Sequence, residues 1–291
     1  QDTNALDLNM PVTGHDFLTL KIKTPGLDGR NEFIDFTQCP LIVYRMGTKQ
    51  EMGDTANLTE LSVMTKDFMR SERHRTNLAY DGVISDIAEK VLREEVKTVR
   101  PLFIEPTVGN RNMVVPNMRP FDVCRLLAGE AVSEQEGSPH YLFYENIFGI
   151  HFRSIESLYR QASIGSYHAG DLGFHITEGG KIEEEYARVL DYSIDSNNDT
   201  LANVVGGMLA SKIITHDIVQ KKYDINRHDY FQDFYKYKRV NYNSTMKDNP
   251  IYSEVPLDTF GNNLGNFDES RIHLHPTSTI NDKDASHYTS D

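Results

Sequence analysis

Hydrophobic positions recur along this chain with two different periods. Val83, Ile84, Ile87, Ala88, Val91 and Leu92 fall at helical spacing with Asp86, Glu89, Lys90 and Arg93 between them, so one stripe can be buried while the other stays wetted. A second helix is predicted to open at Pro120, whose missing N–H is harmless in a first turn. It carries Phe121, Val123, Cys124, Leu127, Ala128 and Ala131 inward and ends near Ser133. The period then shortens to that of strands. Tyr141 to Glu145 and Ile150 to Ser154 pair naturally across Asn146 to Gly149, with glycine supplying the permissive turn position. The aromatic run from His140 to Tyr144 reads as strand core rather than as a ligand platform.

On the amino-terminal side Leu18, Leu20 and Ile22 alternate with Thr19, Lys21 and Lys23, the signature of a strand with one buried face, and Gly26 and Asp28-Gly29 mark the turn after it. Phe33 to Phe36, Leu41 to Met46 and Leu61 to Met64 extend the β character, predicting a small antiparallel barrel or sandwich over residues 1–78. Residues 69–77, MRSERHRTN, read as a basic, solvated linker into an α+β insert over 79–163. Strand-like pieces return over 164–198, such as Arg188 to Ile194. Asp199 is placed to cap a short helix through Val205 that Gly206-Gly207 ends, and Met208 to Lys222 reads as β again, giving a further β unit over 164–240. Beyond Val240 polar residues crowd and apolar ones stand singly. Residues 241–291 are therefore expected to form an extended arm that orders only on a partner.

The central stretch IEPTVGNRNMVVPNMRPFDVCRLLA, followed by GSPHYLFYENIFGIHFRSIESL, resembles the central baseplate hub protein of contractile-tailed bacteriophages, in which a helix-bearing insert follows one tube-like β-barrel domain and precedes another. GHDFLTLKIKTPG resembles the opening strands of the first barrel, and GGMLASKIITHDIVQKKYD the entry to the second. The resemblance rests on order and local motif. It implies an α+β, multi-domain fold with two tube-like antiparallel β-barrel domains and an α+β insert domain between them. It further implies a structural, non-enzymatic role in the virion, assembled in the host cytoplasm. There a homotrimer would join the sixfold tail tube protein above to the threefold central spike protein below, contact other baseplate proteins, and let DNA transit its channel without specific binding. Two other readings stay open: a cell-wall-degrading hydrolase of the tail, and the spike or hub adaptor of a related contractile secretion apparatus.

Length and charge sharpen this picture. At 291 residues, and about 100–200 residues per domain, the chain predicts two or three units, and 38% hydrophobic content supports a sizeable core. A formal net charge of −13 disfavours binding to a phosphate backbone and suits a surface that DNA slides past. Cys39 and Cys124 are expected to be reduced structural thiols. No apolar run approaches the roughly 18 residues of a membrane span, so no membrane insertion is expected. The chain opens at Gln1, so the first domain is expected to be processed or incomplete at its start.

Candidate chemistry is thin. His273 and His275 share one side of an extended segment, but two imidazoles do not make a zinc site. Glu183, Glu184 and Glu185, with Glu178 nearby, could supply a glycosidase-like carboxylate pair, yet such runs are usually solvated faces. No GxSxG elbow, phosphate-binding loop or HExxH is present, and Gly170 to Gly173 and Gly179-Gly180 read as turn glycines. The expectation is no catalytic residue, no metal and no cofactor.

Overall fold

A computed structural model describes residues 16–23, 33–51, 57–135, 137–163, 167–169, 188–189, 191–193, 199–218, 220–234, 236 and 257–277. It is a mixed α+β chain built from several small sheets.

The first unit holds β1 (Phe17–Leu18), β2 (Lys21–Lys23), β3 (Phe33–Asp35), β4 (Leu41–Glu51) and β5 (Asn57–Met64). The strand predicted through Leu18, Leu20 and Ile22 is interrupted at Thr19-Leu20: β1 joins the antiparallel sheet β1-β4-β5, while β2 pairs with β3 as a separate ribbon. Register shifts after Val43 and Met46 bend the β4–β5 pair. Among the described residues of this unit only Leu41 and Val43 are buried, whereas Phe17, Ile22, Ile34, Tyr44, Met46 and Leu61 remain exposed.

Residues 69–77 are not a solvated linker. Helix α1 (Lys66–Arg73) starts where Thr65 Oγ1 accepts the Phe68 N–H at 3.2 Å, and it buries Asp67 and Ser71. The Ser71 hydroxyl accepts the Phe121 N–H at 3.0 Å, and Thr76 and Met118 exchange backbone hydrogen bonds. This segment belongs to the central unit, because its small polar side chains satisfy backbone groups that a hydropathy pattern cannot register.

The central unit continues with β6 (Ala79–Val83), α2 (Ile84–Lys90) widening into π-helical turns over Val91–Val96, β7 (Leu102–Ile104), β8 (Asn110–Val114), α3 (Pro120–Glu130), β9 (Tyr141–Glu145), β10 (Ile150–Ser154) and α4 (Ile155–Tyr159). Val83 ends a strand and caps α2 instead of lying within it. The rest of the predicted stripe points inward: Ile84, Ile87, Ala88, Val91 and Leu92 pack with Phe121, Val123, Cys124, Leu127, Ala128 and Ala131 of the α3 segment. They meet Tyr141, Ile150 and Phe152 on the inner face of the sheet β7-β10-β9, in which β7 runs parallel and β9 antiparallel to β10. Burial pushes the Cys124 thiol strongly upward, so it is an inert core group.

Farther along, β11 (His168–Ala169) pairs parallel with β12 (Arg188–Val189), shorter than the predicted strand, and Asp191–Ser193 follow without strand structure. Helix α5 (Thr200–Gly206) starts on Asp199, whose carboxylate accepts the Ala202 N–H at 3.0 Å, and ends on Gly207 at φ 82°. Strands β13 (Ala210–Asp217) and β14 (Lys222–Asp229), helix α6 (Tyr230–Asp233) and β15 (Ile272–Thr277) follow among the described residues. Strand β15 runs parallel to β13, at the edge opposite β14. Part of the predicted arm, 257–277, therefore lies on this chain's own sheet, and the boundary expected at residue 240 is crossed by backbone pairing. Isolated apolar residues such as Ile272 and Leu274 suffice because the ladder to β13 satisfies the backbone. Among the described residues neither flanking unit closes into a barrel.

Leu127 is fully buried, so Leu127→Ala is expected to destabilise the protein by about 2 to 5 kcal/mol in denaturant unfolding, while exposed Glu89→Ala costs under about 0.5 kcal/mol. Gly149 packs so closely that an added Cβ would sit 2.3 Å from the Pro101 carbonyl oxygen. Gly149→Ala is accordingly expected to lower stability by about 1 to 3 kcal/mol in the same assay, by prying β7 from β10.

Candidate interaction site at the junction of the first two units

The end of α2 is tied down by polar contacts. After the π-helical turns, Lys97 adopts the left-handed conformation at φ 57°, which costs a non-glycine residue roughly 1 kcal/mol or more. Three carbonyls of the loop that follows accept from guanidinium groups: Arg70 donates to Lys97 O at 3.0 Å, and Arg93 donates to Thr98 O at 3.0 Å and Arg100 O at 3.1 Å. The Thr98 hydroxyl donates to buried Asp67 at 2.7 Å. Arg100 in turn donates to the Glu145 carboxylate and to Asn146 O. Glu145 also accepts from the hydroxyl of Thr65, the residue between β5 and α1, at 2.9 Å. One carboxylate thereby links the first unit, the loop and the central sheet.

Beside this clamp lies an apolar cleft of about 540 Å³, walled by Ile22, Ile34, Phe36 and Leu41 from the first unit and Ile147 and Phe148 from the β9–β10 turn, with Cys39 and Arg100 at its margin. The turn is rigid because Asn146 Oδ1 accepts from the Phe148 and Gly149 N–H groups, at 2.9 and 3.1 Å, and faces His151 Nε2 at 3.0 Å. His151 is sandwiched between Phe103 and Tyr144, its cross-strand partners, at ring distances of 4.5 and 4.7 Å. Those distances match the spacing of neighbouring strands. Burial, reinforced by Arg153 and Arg100, pushes the His151 pKa down and favours its neutral form. Phe148, in the wall of the cleft, is 67% exposed, and Val99, in the loop before Arg100, is 92% exposed. The arrangement is suited to apolar contact with a partner.

Two other polar groupings resolve as structural. Buried Glu105 accepts from the Ser133 hydroxyl at 2.6 Å and from the Ser154 N–H and hydroxyl at 2.7 to 2.9 Å. Burial alone would raise its pKa, but these hydrogen bonds outweigh it and hold the carboxyl below its ordinary value. Ser138, His140 and Glu156 have the composition of a hydrolytic triad. Yet Ser138 Oγ and Glu156 Oε1 both approach the same ring nitrogen, Nδ1, at 3.2 and 3.1 Å, whereas a proton relay needs one partner on each nitrogen. The set ties the residue before β9 to α4.

His273 and His275 lie exposed on β15, and among the described residues no group of three or more His, Cys, Asp or Glu side chains is arranged to hold a metal ion. Glu178 and Glu183 to Glu185, with Gly170 to Gly173 and Gly179-Gly180, lie outside the described residues. No described helix is long and apolar enough to cross a membrane. The junction was not visible to sequence reasoning: its apolar walls come from four separate segments, and its clamp from Arg70, Arg93 and Arg100, which look like ordinary surface charges. The one available signal was Val99, an apolar residue set between Lys97 and Arg100 just past the helical stripe. Compared with known proteins, the chain matches no family model, no curated protein and no solved structure.

The Glu105 arrangement makes a pH prediction. Its folded pKa lies below the ordinary value of 4.5, so the stabilisation is complete above about that pH and is lost as pH falls through the folded value. Thermal melts from pH 7 to pH 3 should show a falling midpoint. In Glu105→Gln the acid slope should be shallower, and stability at pH 7 lower by about 1 to 3 kcal/mol.

Proposed function

We propose that this chain is a structural component of a contractile phage tail baseplate, the central hub that joins a sixfold tail tube to a threefold spike. One observation carries the reading. The central α+β unit has a complete core of its own, while the sheets before and after it leave apolar side chains in water: Phe17, Ile22, Ile34, Tyr44 and Leu61 in the first, and Ile225, Ile272 and Leu274 in the last. Small sheets with apolar faces of this kind gain stability by burial against a partner. In the proposed assembly each flanking unit serves as a tube-like barrel domain, and three chains contribute six of them upward. The insert, present once per chain, gives the threefold face below.

The formal charge of −13 supports a channel that DNA traverses without adhering. The order of β unit, insert and β unit follows the hub pattern that the central motif resembles, and the role requires no chemistry at the junction.

Light scattering of the purified chain, alone and with a candidate threefold spike protein, tests the reading. The expected result is a mass of three chains, with no DNA binding near physiological salt. Monomer at every concentration, with the spike present, would overturn it, and so would submicromolar DNA affinity that collapses with added salt.

A further inference from the structure

We infer that the loop 97–100 is the contact point between neighbouring copies of this chain, with Val99 as its apolar tip and the basic groups around it facing an acidic surface on the next copy. The inference rests on the hub reading and names the surface through which its copies meet.

Val99 is the most exposed large apolar side chain among the described residues, yet the backbone carrying it is held rigidly. Its neighbours' carbonyls are occupied by Arg70 and Arg93, Thr98 is anchored on Asp67, and Lys97 is kept in a left-handed conformation. Folding alone gives no reason to hold an apolar tip out in water with this many ties. A partner does, because a preorganised loop loses little freedom on binding. Phe148, exposed and part of the cleft wall, stands on the turn whose Asn146 carbonyl accepts from Arg100, the residue after Val99.

Charge selects the occupant. Lys97 and Arg93 are exposed at this end of the helix, with Arg73 and Arg75 at the end of α1, and outnumber the exposed Glu94 among them, on a chain whose net charge is −13. The opposite half of the same helix has an acidic excess: Asp86 and Glu89 are exposed beside the single exposed cation Lys90, and Glu134 is exposed on the neighbouring segment. There the Ser85 N–H donates to Thr107 Oγ1 at 2.9 Å and Thr107 bridges Ser133, which brings the segments of Asp86 and Glu134 together. The helix from Ile84 to Val96 separates the two ends by roughly 20 Å. Surfaces of opposite charge at opposite ends of one element fit a head-to-tail contact, and contacts between two different surfaces close into rings when the rotation permits. The partner is therefore a second copy of this chain, its acidic end laid against the basic loop.

The test uses the full chain and reads its mass against concentration by native mass spectrometry and light scattering. Val99→Asp is expected to raise the protomer dissociation constant by about tenfold or more, while the thermal midpoint of protomers diluted below assembly stays unchanged because the side chain is already in water. Lys97→Glu and Glu134→Lys should each weaken assembly, and combining them in one chain should restore part of the loss. Added salt should weaken the wild-type assembly and spare the double variant more. Wild-type-like assembly of Val99→Asp, or a double reversal no better than the singles, would overturn the inference while leaving the hub reading intact. A wild-type chain that stays monomeric with its spike partner present would overturn both.

Discussion

The central unit depends on a buried carboxylate, because Glu105 sits where β7 ends and is shared by the segment after α3 and by the junction of β10 with α4. A charged group in an apolar surround is tolerable only when its oxygens are fully engaged, and here Ser133 and Ser154 engage them from two separate parts of the chain. Removing these donors would leave a charge in the interior with nothing to replace the water it lost. The helices and the sheet are thereby held in one arrangement while Phe152, Leu92 and Leu127, all fully buried, supply the bulk of the hydrophobic driving force.

From that frame the polar ties run outward in one direction. Asp67 joins α1 to the loop after α2, Arg100 joins that loop to Glu145, and Glu145 joins the sheet to Thr65 at the end of the first unit. Each contact is modest alone, but together they align the first unit's apolar strands with the β9–β10 turn and leave the cleft open between them. Rigidity at this junction and exposure at its rim are two results of the same network. The flanking sheets are the converse case. Among the described residues the cluster of Leu209, Tyr230 and Phe234 is small, and the first unit buries Leu41 and Val43, so apolar side chains on both flanking sheets stay wet in a single chain.

Where hydrophobic period carried the information, it placed the elements well. The stripe from Ile84 to Leu92, the inward face of α3, the β9–β10 hairpin and the Asp199 cap all follow from local spacing and short-range hydrogen bonding, and each stands where the pattern put it, with Val83 displaced by one position. These are features whose causes lie within a few residues along the chain.

Other features rest on partners distant in sequence. Residues 69–77 look like a charged linker until Ser71 meets the first turn of α3 and Asp67 meets Thr98, and the tail looks unable to fold until β15 finds an edge of β13. The junction is the clearest instance, since Arg70, Arg93, Arg100 and Glu145 are interchangeable surface charges in a linear reading and become a clamp only when four segments converge. The amino-acid pattern by itself determined the elements whose causes are local, α2, α3, the β9–β10 hairpin and the capped α5, and the faces the first two bury, because periodicity and capping act within a few residues. Tertiary structure alone decided which charges pair and which apolar groups stay in water, because both depend on what the rest of the chain brings alongside.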